Sequence, residues 1–295
     1  MMDSVRVGTR GSDLALRQTD WVCRRLREVH PSLSVERVTI KTHGDVATDQ
    51  AFGSSWPVGA FVGALESALA ENQIDLAVHS LKDLQTEPTS GLIVAAIPPR
   101  EVPHDVLLTR AAIVLDDLPV RARIGTSSPR RAAQMRRRFD VEIVPLRGNV
   151  PTRIAKMERG ELDGIVLAAA GIKRLGILHP HTIALPIDRF VPAPGQGALA
   201  VQGCDGSAAS ELAGALDDTA TRRAVTAERQ FLHDLGAGCH TPAGAFATSS
   251  KGTVSLHGQL FSEDGERCVG GIEEGEDPES VGARLAERLM VELGR

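Results

Sequence analysis

At 295 residues, 42% of them hydrophobic and 24% charged, the chain is too long for one small core and has the composition of a soluble globular protein of two or three domains. No apolar run approaches the roughly 18 residues of a membrane span, and the first residues lack a basic-then-apolar leader. A net charge of −5 with 3% aromatic residues and no tyrosine argues against nucleic acid as a partner. Cys23, Cys204, Cys239 and Cys268 show no CxxC spacing and no paired histidines, which speaks against a disulfide scaffold or a metal site. The expectation is a cytoplasmic protein with no metal and no membrane contact.

The first two hundred residues alternate strand and helix. Val5–Thr9 reads as a strand that runs into Ser12, a helix cap, and a helix with Leu14, Val22, Leu26 and Val29 on one side. Val35–Lys41 is the next strand, Phe61–Glu71 a helix, and Ile74–Val78 and Leu92–Ile97 two more strands. The pattern predicts an α/β domain with a mostly parallel sheet. The proline-rich Ile97–Pro103 marks a domain crossing. A second α/β unit follows, with strands at Arg123–Gly125, Val141–Pro145 and Gly164–Leu167. Its helices open at Ser128-Pro129 and Asn149-Val150-Pro151, where a capping residue precedes proline in the first turn. A second crossing, Val191–Gly197, returns the chain to the first domain through Leu199–Val201. The remainder reads as a small α+β domain with strands near 243–248, 253–261 and 267–272 and a helix from about 278. The expected domains are 1–98 plus 198–216, 103–191, and 218–295.

Ligands of α/β sheets bind beyond the carboxyl ends of the strands. Five such ends carry cations: Arg10 with Gly11 and Ser12; Lys82 and Asp83 after His79; Arg130 and Arg131 after Thr126, Ser127 and Ser128; Arg147 with Arg153 one turn on; and Lys173 and Arg174 after Ala168–Ile172. One exposed arginine is ordinary, but repetition at equivalent places suits a ligand with several carboxylates or phosphates. Two cations at the helix start after Ser128 oppose the helix dipole, and an anionic ligand would relieve the conflict. Asp83 reads either as a cap or ion-pair partner, or as a carboxylate able to bind ring N–H groups and stabilise a cation. Cys239, in the loop Gly236–Pro242 beside His240, reads either as a small buried hydrophobe or as a reactive thiol. No GxGxxG or Walker A pattern supports a nucleotide cofactor.

These blocks together resemble the hydroxymethylbilane synthase (porphobilinogen deaminase) family over nearly the whole chain. The matching segments are Thr9–Ser12 with Leu14–Leu16, His79–Leu84, Gly125–Arg131, Leu146–Val150 with Thr152-Arg153, Ala170–Gly176, Pro194–Ala198, Thr226–Arg229 and Gly238-Cys239, in the family's order. The resemblance implies two type II periplasmic-binding-protein-like α/β domains plus a small C-terminal α+β domain. It implies a dipyrromethane cofactor joined to Cys239 through a thioether, and Asp83 as the catalytic carboxylate. Lys82, Thr126, Ser127, Ser128, Arg130, Arg131, Arg147 and Arg153 would hold the cofactor. Arg10, Ser12, Arg147, Arg153 and Arg174 would hold the substrate, porphobilinogen. The implied protein is a monomeric transferase of tetrapyrrole biosynthesis that works in a crevice between the first two domains.

Three departures from the family's pattern stand out: a lysine-free loop at Phe52–Ala60, Leu84-Gln85-Thr86-Glu87 where proline is usual, and His43 in Thr42-His43-Gly44-Asp45. They keep two further readings open, a non-catalytic binding module for a small polycarboxylate and a pyrrole-handling paralogue with altered turnover.

Overall fold

The computed structural model describes residues 2–40, 62–236 and 242–294. It divides into two compact units, Met1–Arg100 with Ala198–Arg222, and Glu101–Gly197 with Arg223–Arg295. The expected strand at residue 41, the helix start at Phe61, the loop 52–60, His43 and Cys239 fall outside the described residues.

Unit 1 is built on a five-stranded sheet of order β2-β1-β3-β10-β4. The strands are β1 (Ser4–Thr9), β2 (Ser34–Thr39), β3 (Leu76–Ser80), β4 (Leu92–Ala96) and β10 (Leu199–Cys204). β1 runs parallel to β2 and β3, whereas β10 enters antiparallel between β3 and β4. Helix α1 (Asp13–Val29) covers one face. Its spacing places Val22, Cys23 and Leu26 inward against Val5, Val7, Leu76, Val78 and Val201. Burying a side chain such as Leu26 contributes about 2 kcal/mol. Helix α2 (Gly63–Ala70) covers the other face with Leu65, Ala68 and Leu69, against Ile74 and Ala77.

Unit 2 repeats this plan. Its first sheet has order β7-β6-β8-β5-β9, with β5 (Asp105–Thr109), β6 (Ala122–Gly125), β7 (Val141–Val144), β8 (Gly164–Ala168) and β9 (Thr182–Ala184). β6 is parallel to β7 and β8, and β5 runs antiparallel to β8 and β9. In each unit the strand that follows a crossing, β5 or β10, is the antiparallel one beside the third parallel strand. The two α/β domains are thus present as sheets of one strand order, and each is mostly parallel as expected, with four strands running one way and a single strand, β10 or β5, opposing them. β5 and β9 were not expected at all. Helices α3 (Pro129–Arg136), α4 (Val150–Glu158) and α5 (Ala169–Leu175) follow β6, β7 and β8.

The C-terminal part of unit 2 is an antiparallel meander of β11 (Ala243–Ser250), β12 (Thr253–Phe261) and β13 (Cys268–Gly275). Two helices pack on it, with residues Ala224, Ala227 and Phe231 of Thr219–Asp234 and residues Val281, Leu285 and Leu289 of Pro278–Leu293. The last helix starts where Asp277 accepts from Ser280 N with Pro278 in the first turn. This core is separate from those of the α/β sheet, although both lie in the same compact unit. Glu228 ties the parts together. Its fully buried carboxylate accepts from Gly195 N at 2.7 Å and from Ala247 N at 2.8 Å.

Candidate functional site

In unit 1 the neighbouring ends of β1 and β3 bring Arg10 and Ser12 to the same sheet edge as Lys82 and Asp83. Ser12 caps α1, accepting from Ala15 N at 3.4 Å. Gln18 Nε2 donates to Ser80 Oγ at 2.8 Å and so fastens α1 to the end of β3. A 3-10 turn, Leu81–Asp83, follows. Leu81 is buried and its N–H reaches Ala198 O at 3.0 Å, while Leu84 N closes the turn on Leu81 O at 3.1 Å. The backbone on both sides is thereby held, and the side chains of Lys82 and Asp83 are exposed. His79, within β3, is buried and its Nε2 makes no hydrogen bond among the described residues. Burial pushes its pKa down to about 4, helped by the Arg10 charge and opposed by Glu66 and Gln202. It is a neutral core imidazole.

The corresponding edge of unit 2 collects Thr126, Ser127 and Ser128 after β6 and Arg147 and Arg153 after β7. Their hydroxyls serve the local backbone. Ser127 Oγ accepts from Leu146 N and donates to Leu146 O, each at 2.9 Å, joining the two strand ends. Thr126 Oγ1 accepts from Ser128 N at 3.2 Å, and Ser128 caps α3. Asn149 caps α4, accepting from Thr152 N at 2.9 Å. Gly148 has φ +115, a conformation that favours glycine. Its carbonyl accepts from Arg153 Nε at 2.7 Å. Neither Nη group of Arg153 has a hydrogen-bond partner among the described residues. Burial and the neighbouring Arg131 charge lower the pKa of this half-buried guanidinium.

Arg130 and Arg131 sit beneath this edge on one carboxylate. Arg130 Nη1 donates to Asp105 Oδ2 at 2.8 Å, and Arg131 Nη2 to Asp105 Oδ1 at 2.6 Å. Asp105 is 1% exposed. Burial alone would raise its carboxyl, but the two guanidinium groups hold it far below the usual carboxylate range. The conflict between two cations and the start of α3 is therefore met in part by the protein's own Asp105, one carboxylate for two guanidinium groups, a partner that the sequence argument for an anionic ligand did not weigh. Arg130 is 4% exposed, and the other bonds of its Nη1 go to Gln134 Oε1 and Val191 O. Arg131 is tied through all three nitrogens, Nε and Nη2 to Asp105 Oδ1 and Nη1 to Val166 O at 3.2 Å, and the second Nη1 hydrogen has no acceptor among the described residues.

Lys173 and Arg174 do not lie at a strand end. They occupy the last turn of α5, favourable for cations. Lys173 Nζ meets Glu101 Oε1 at 2.8 Å and Arg174 Nη2 donates to Gly197 O at 2.7 Å, so both hold the crossing segments. Burial pushes Arg174 down to about 10, opposed by Glu101.

Asp105 was missed because attention to carboxyl ends passes over an antiparallel strand, whose amino end reaches the same edge: Asp105 lies opposite Ala168 at the end of β8. A lone carboxylate heading the apolar run Val106-Leu107-Leu108 just after a crossing was the available signal. Gln196 and Glu228, which fix the second crossing, gave no such signal beyond lying in the matched motifs.

Among the described residues no helix is long and apolar enough to cross a membrane. Residues 5–211 match a family described as "Porphobilinogen deaminase, dipyromethane cofactor binding domain", and residues 222–291 match "Porphobilinogen deaminase, C-terminal domain". The chain is 45% identical over 294 residues to a protein named porphobilinogen deaminase from Carboxydothermus hydrogenoformans, covering 98% of this chain and 94% of that one. It is 43% identical over 298 residues to one of the same name from Syntrophus aciditrophicus, covering 99% and 96%. Among solved structures, it is similar to the BenM effector binding domain with benzoate (14% identity, 80% of this chain and 94% of that one, TM-score 0.41). It is likewise similar to a probable amino-acid transporter binding protein, ytmK, from Bacillus subtilis (11% identity, 73% and 90%, TM-score 0.41).

Proposed function

The chain belongs to the porphobilinogen deaminase family, and on that premise we propose that it is a hydroxymethylbilane synthase, joining porphobilinogen units into linear hydroxymethylbilane on a covalently held dipyrromethane. The observation that carries this is the surplus of guanidinium over carboxylate at the edge of unit 2. Arg130 and Arg131 share the single carboxylate of Asp105, the Arg153 charge acts on Arg131, and both Nη groups of Arg153 are without a protein acceptor among the described residues. That donor set fits a pyrrole bearing acetate and propionate groups.

When bound, the dipyrromethane supplies a nucleophilic pyrrole carbon and its own carboxylates. Cys239 would anchor it through a thioether. The described cysteines favour this assignment: burial pushes the Cys23 thiol up to about 11 and also raises that of Cys268, and Cys204 Sγ is turned to Leu69 O at 3.7 Å. Lys82, Arg131, Arg147 and Arg153 would receive carboxylates directly. Thr126, Ser127, Ser128 and Arg130 would act mainly by fixing the backbone and Asp105 beneath them. Arg10 and Ser12 would hold porphobilinogen beside Asp83, and Arg174 would serve the substrate by holding Gly197. Asp83, exposed on an anchored turn, would accept a hydrogen bond from the substrate pyrrole N–H and stabilise the positive charge that develops as ammonia departs. The reading includes a monomer in the cytoplasm.

Intact-protein mass spectrometry tests it together with porphobilinogen consumption. Wild-type protein should carry a mass excess equal to a dipyrromethane, Cys239→Ser should lack it, and Asp83→Ala should retain ligand binding while losing consumption. Active wild-type protein without the adduct overturns the cofactor assignment. Binding without consumption by wild-type protein would make the chain a polycarboxylate-binding module.

A further inference from the structure

Gln196 connects the arginine cluster to both crossing segments. Its side chain is fully buried, and Nε2 donates to Asp105 Oδ1 at 2.9 Å and to Pro103 O at 2.7 Å. Its Oε1 accepts from Arg131 Nη2 at 3.4 Å, a longer contact than the 2.6 Å bond from the same nitrogen to Asp105. Pro103 belongs to the first crossing and Gln196 to the second. The second crossing is also held at Val191 O by Arg130 and Gln134, and at Gly197 O by Arg174 and Glu101 N.

The electrostatics of the cluster are unbalanced. Two guanidinium groups, Arg130 and Arg131, share one carboxylate, Asp105, in surroundings where charge is poorly screened, and the Arg153 charge acts on Arg131 with no acidic partner of its own among the described residues. A ligand carboxylate at Arg131 and Arg153 discharges that surplus. The relief falls on the same guanidinium that Asp105 and Gln196 hold.

We propose that Gln196 is a positioning residue that couples occupancy of the Arg131–Arg153 carboxylate site to the rigidity of the crossing segments, acting through Asp105. This rests on the reading that those arginines receive ligand carboxylates. A ligand carboxylate on Arg131 adds a charge-assisted hydrogen bond that fixes this guanidinium, and with it the Asp105 and Gln196 atoms bonded to it. Loading therefore tightens the grip on residues 191–197. Replacing Gln196 with glutamate removes both Nε2 donations and sets a second carboxylate against Asp105 and Pro103 O, so that the hold on the crossings is lost while the new charge competes with the ligand for Arg131.

Amide hydrogen exchange of segment 191–197 is compared in protein made without a porphobilinogen supply and in the same protein after incubation with porphobilinogen, with loading read as mass gain. In wild type, loading should slow exchange at least threefold. In Gln196→Met, compared at equal loading, that slowing should vanish. In Gln196→Glu, exchange should be at least as fast as in unloaded wild type, and mass gain should be at least threefold slower. Full loading-dependent slowing in Gln196→Met overturns the proposal, and so does wild-type loading speed in Gln196→Glu; the second variant serves if the first fails to fold. Arg153→Ala separates the underlying reading: if it gains mass as fast as wild type, the carboxylate assignment fails, whatever the Gln196 variants do.

Discussion

Asp105 Oδ1 lies 2.6 Å from Arg131 Nη2, with the carboxylate 1% and the arginine side chain 10% exposed. A residue at the amino end of an antiparallel strand thus neutralises part of a cation pair at the start of a helix that follows a parallel strand. Each partner is costly to bury alone, and the pair makes the local sheet edge a fixed base for charge.

Removing that carboxylate should be severe. Asp105→Ala leaves two buried guanidinium groups with no counter-charge, for an expected loss of about 3–5 kcal/mol in unfolding free energy. Urea denaturation at neutral pH measures it, and a loss below ~1 kcal/mol would show that water or another group balances the cluster. The carboxyl is depressed in the folded state, so its contribution is complete above the unfolded value of about 4 and declines only as pH falls below it.

His79 gives the opposite kind of pH signature, at milder acidity. The unfolded imidazole takes up its proton near pH 6.5 and the folded one near 4. Stability from this residue is whole above the first value and lost as pH drops toward the second, by up to about 3 kcal/mol. His79→Leu should flatten the stability curve between pH 6.5 and 4. An unchanged slope in that variant would mean the histidine is not the titrating group.

Asp83→Asn should separate chemistry from folding. The side chain is exposed and the turn is held by Leu81 and its backbone bonds, so the stability change should stay within about 0.5 kcal/mol. Porphobilinogen consumption should fall roughly 100- to 1,000-fold through lost charge stabilisation. Steady-state kinetics alongside thermal melts decide the matter, and equal turnover would remove Asp83 from the mechanism.

Gly197→Ala should break the paired crossings. An added Cβ would lie 2.4 Å from Glu101 O, at a residue with φ +88. Crowding and backbone strain together should cost about 3 kcal/mol. A melting temperature equal to wild type would show that the crossings can separate freely.

Much of this architecture could be read from local chemistry. Ser12, Ser128 with Pro129, and Asn149 with Pro151 mark their helix starts because capping depends on a few adjacent residues. The paired cations after Thr126 and the exposed Asp83 were visible in the same way. The antiparallel direction of β5 was not, because that strand gains its partners from residues about sixty positions along the chain. Reading Lys173 and Arg174 as strand-end groups failed for a related reason: the seven residues of α5 carry them away from the end of β8. The service of Ser127 and Arg130 to the backbone and to Asp105 depends on tertiary neighbours that no local pattern specifies.

The placement of β10 bears on how the chain is made. Its residues 199–204 fill the gap between β3 and β4, both synthesised before residue 97, whereas the first sheet of the second unit is complete once residue 184 has emerged. During translation the later-encoded sheet can therefore close first, and the N-terminal half must wait on the ribosome with two strand edges bare.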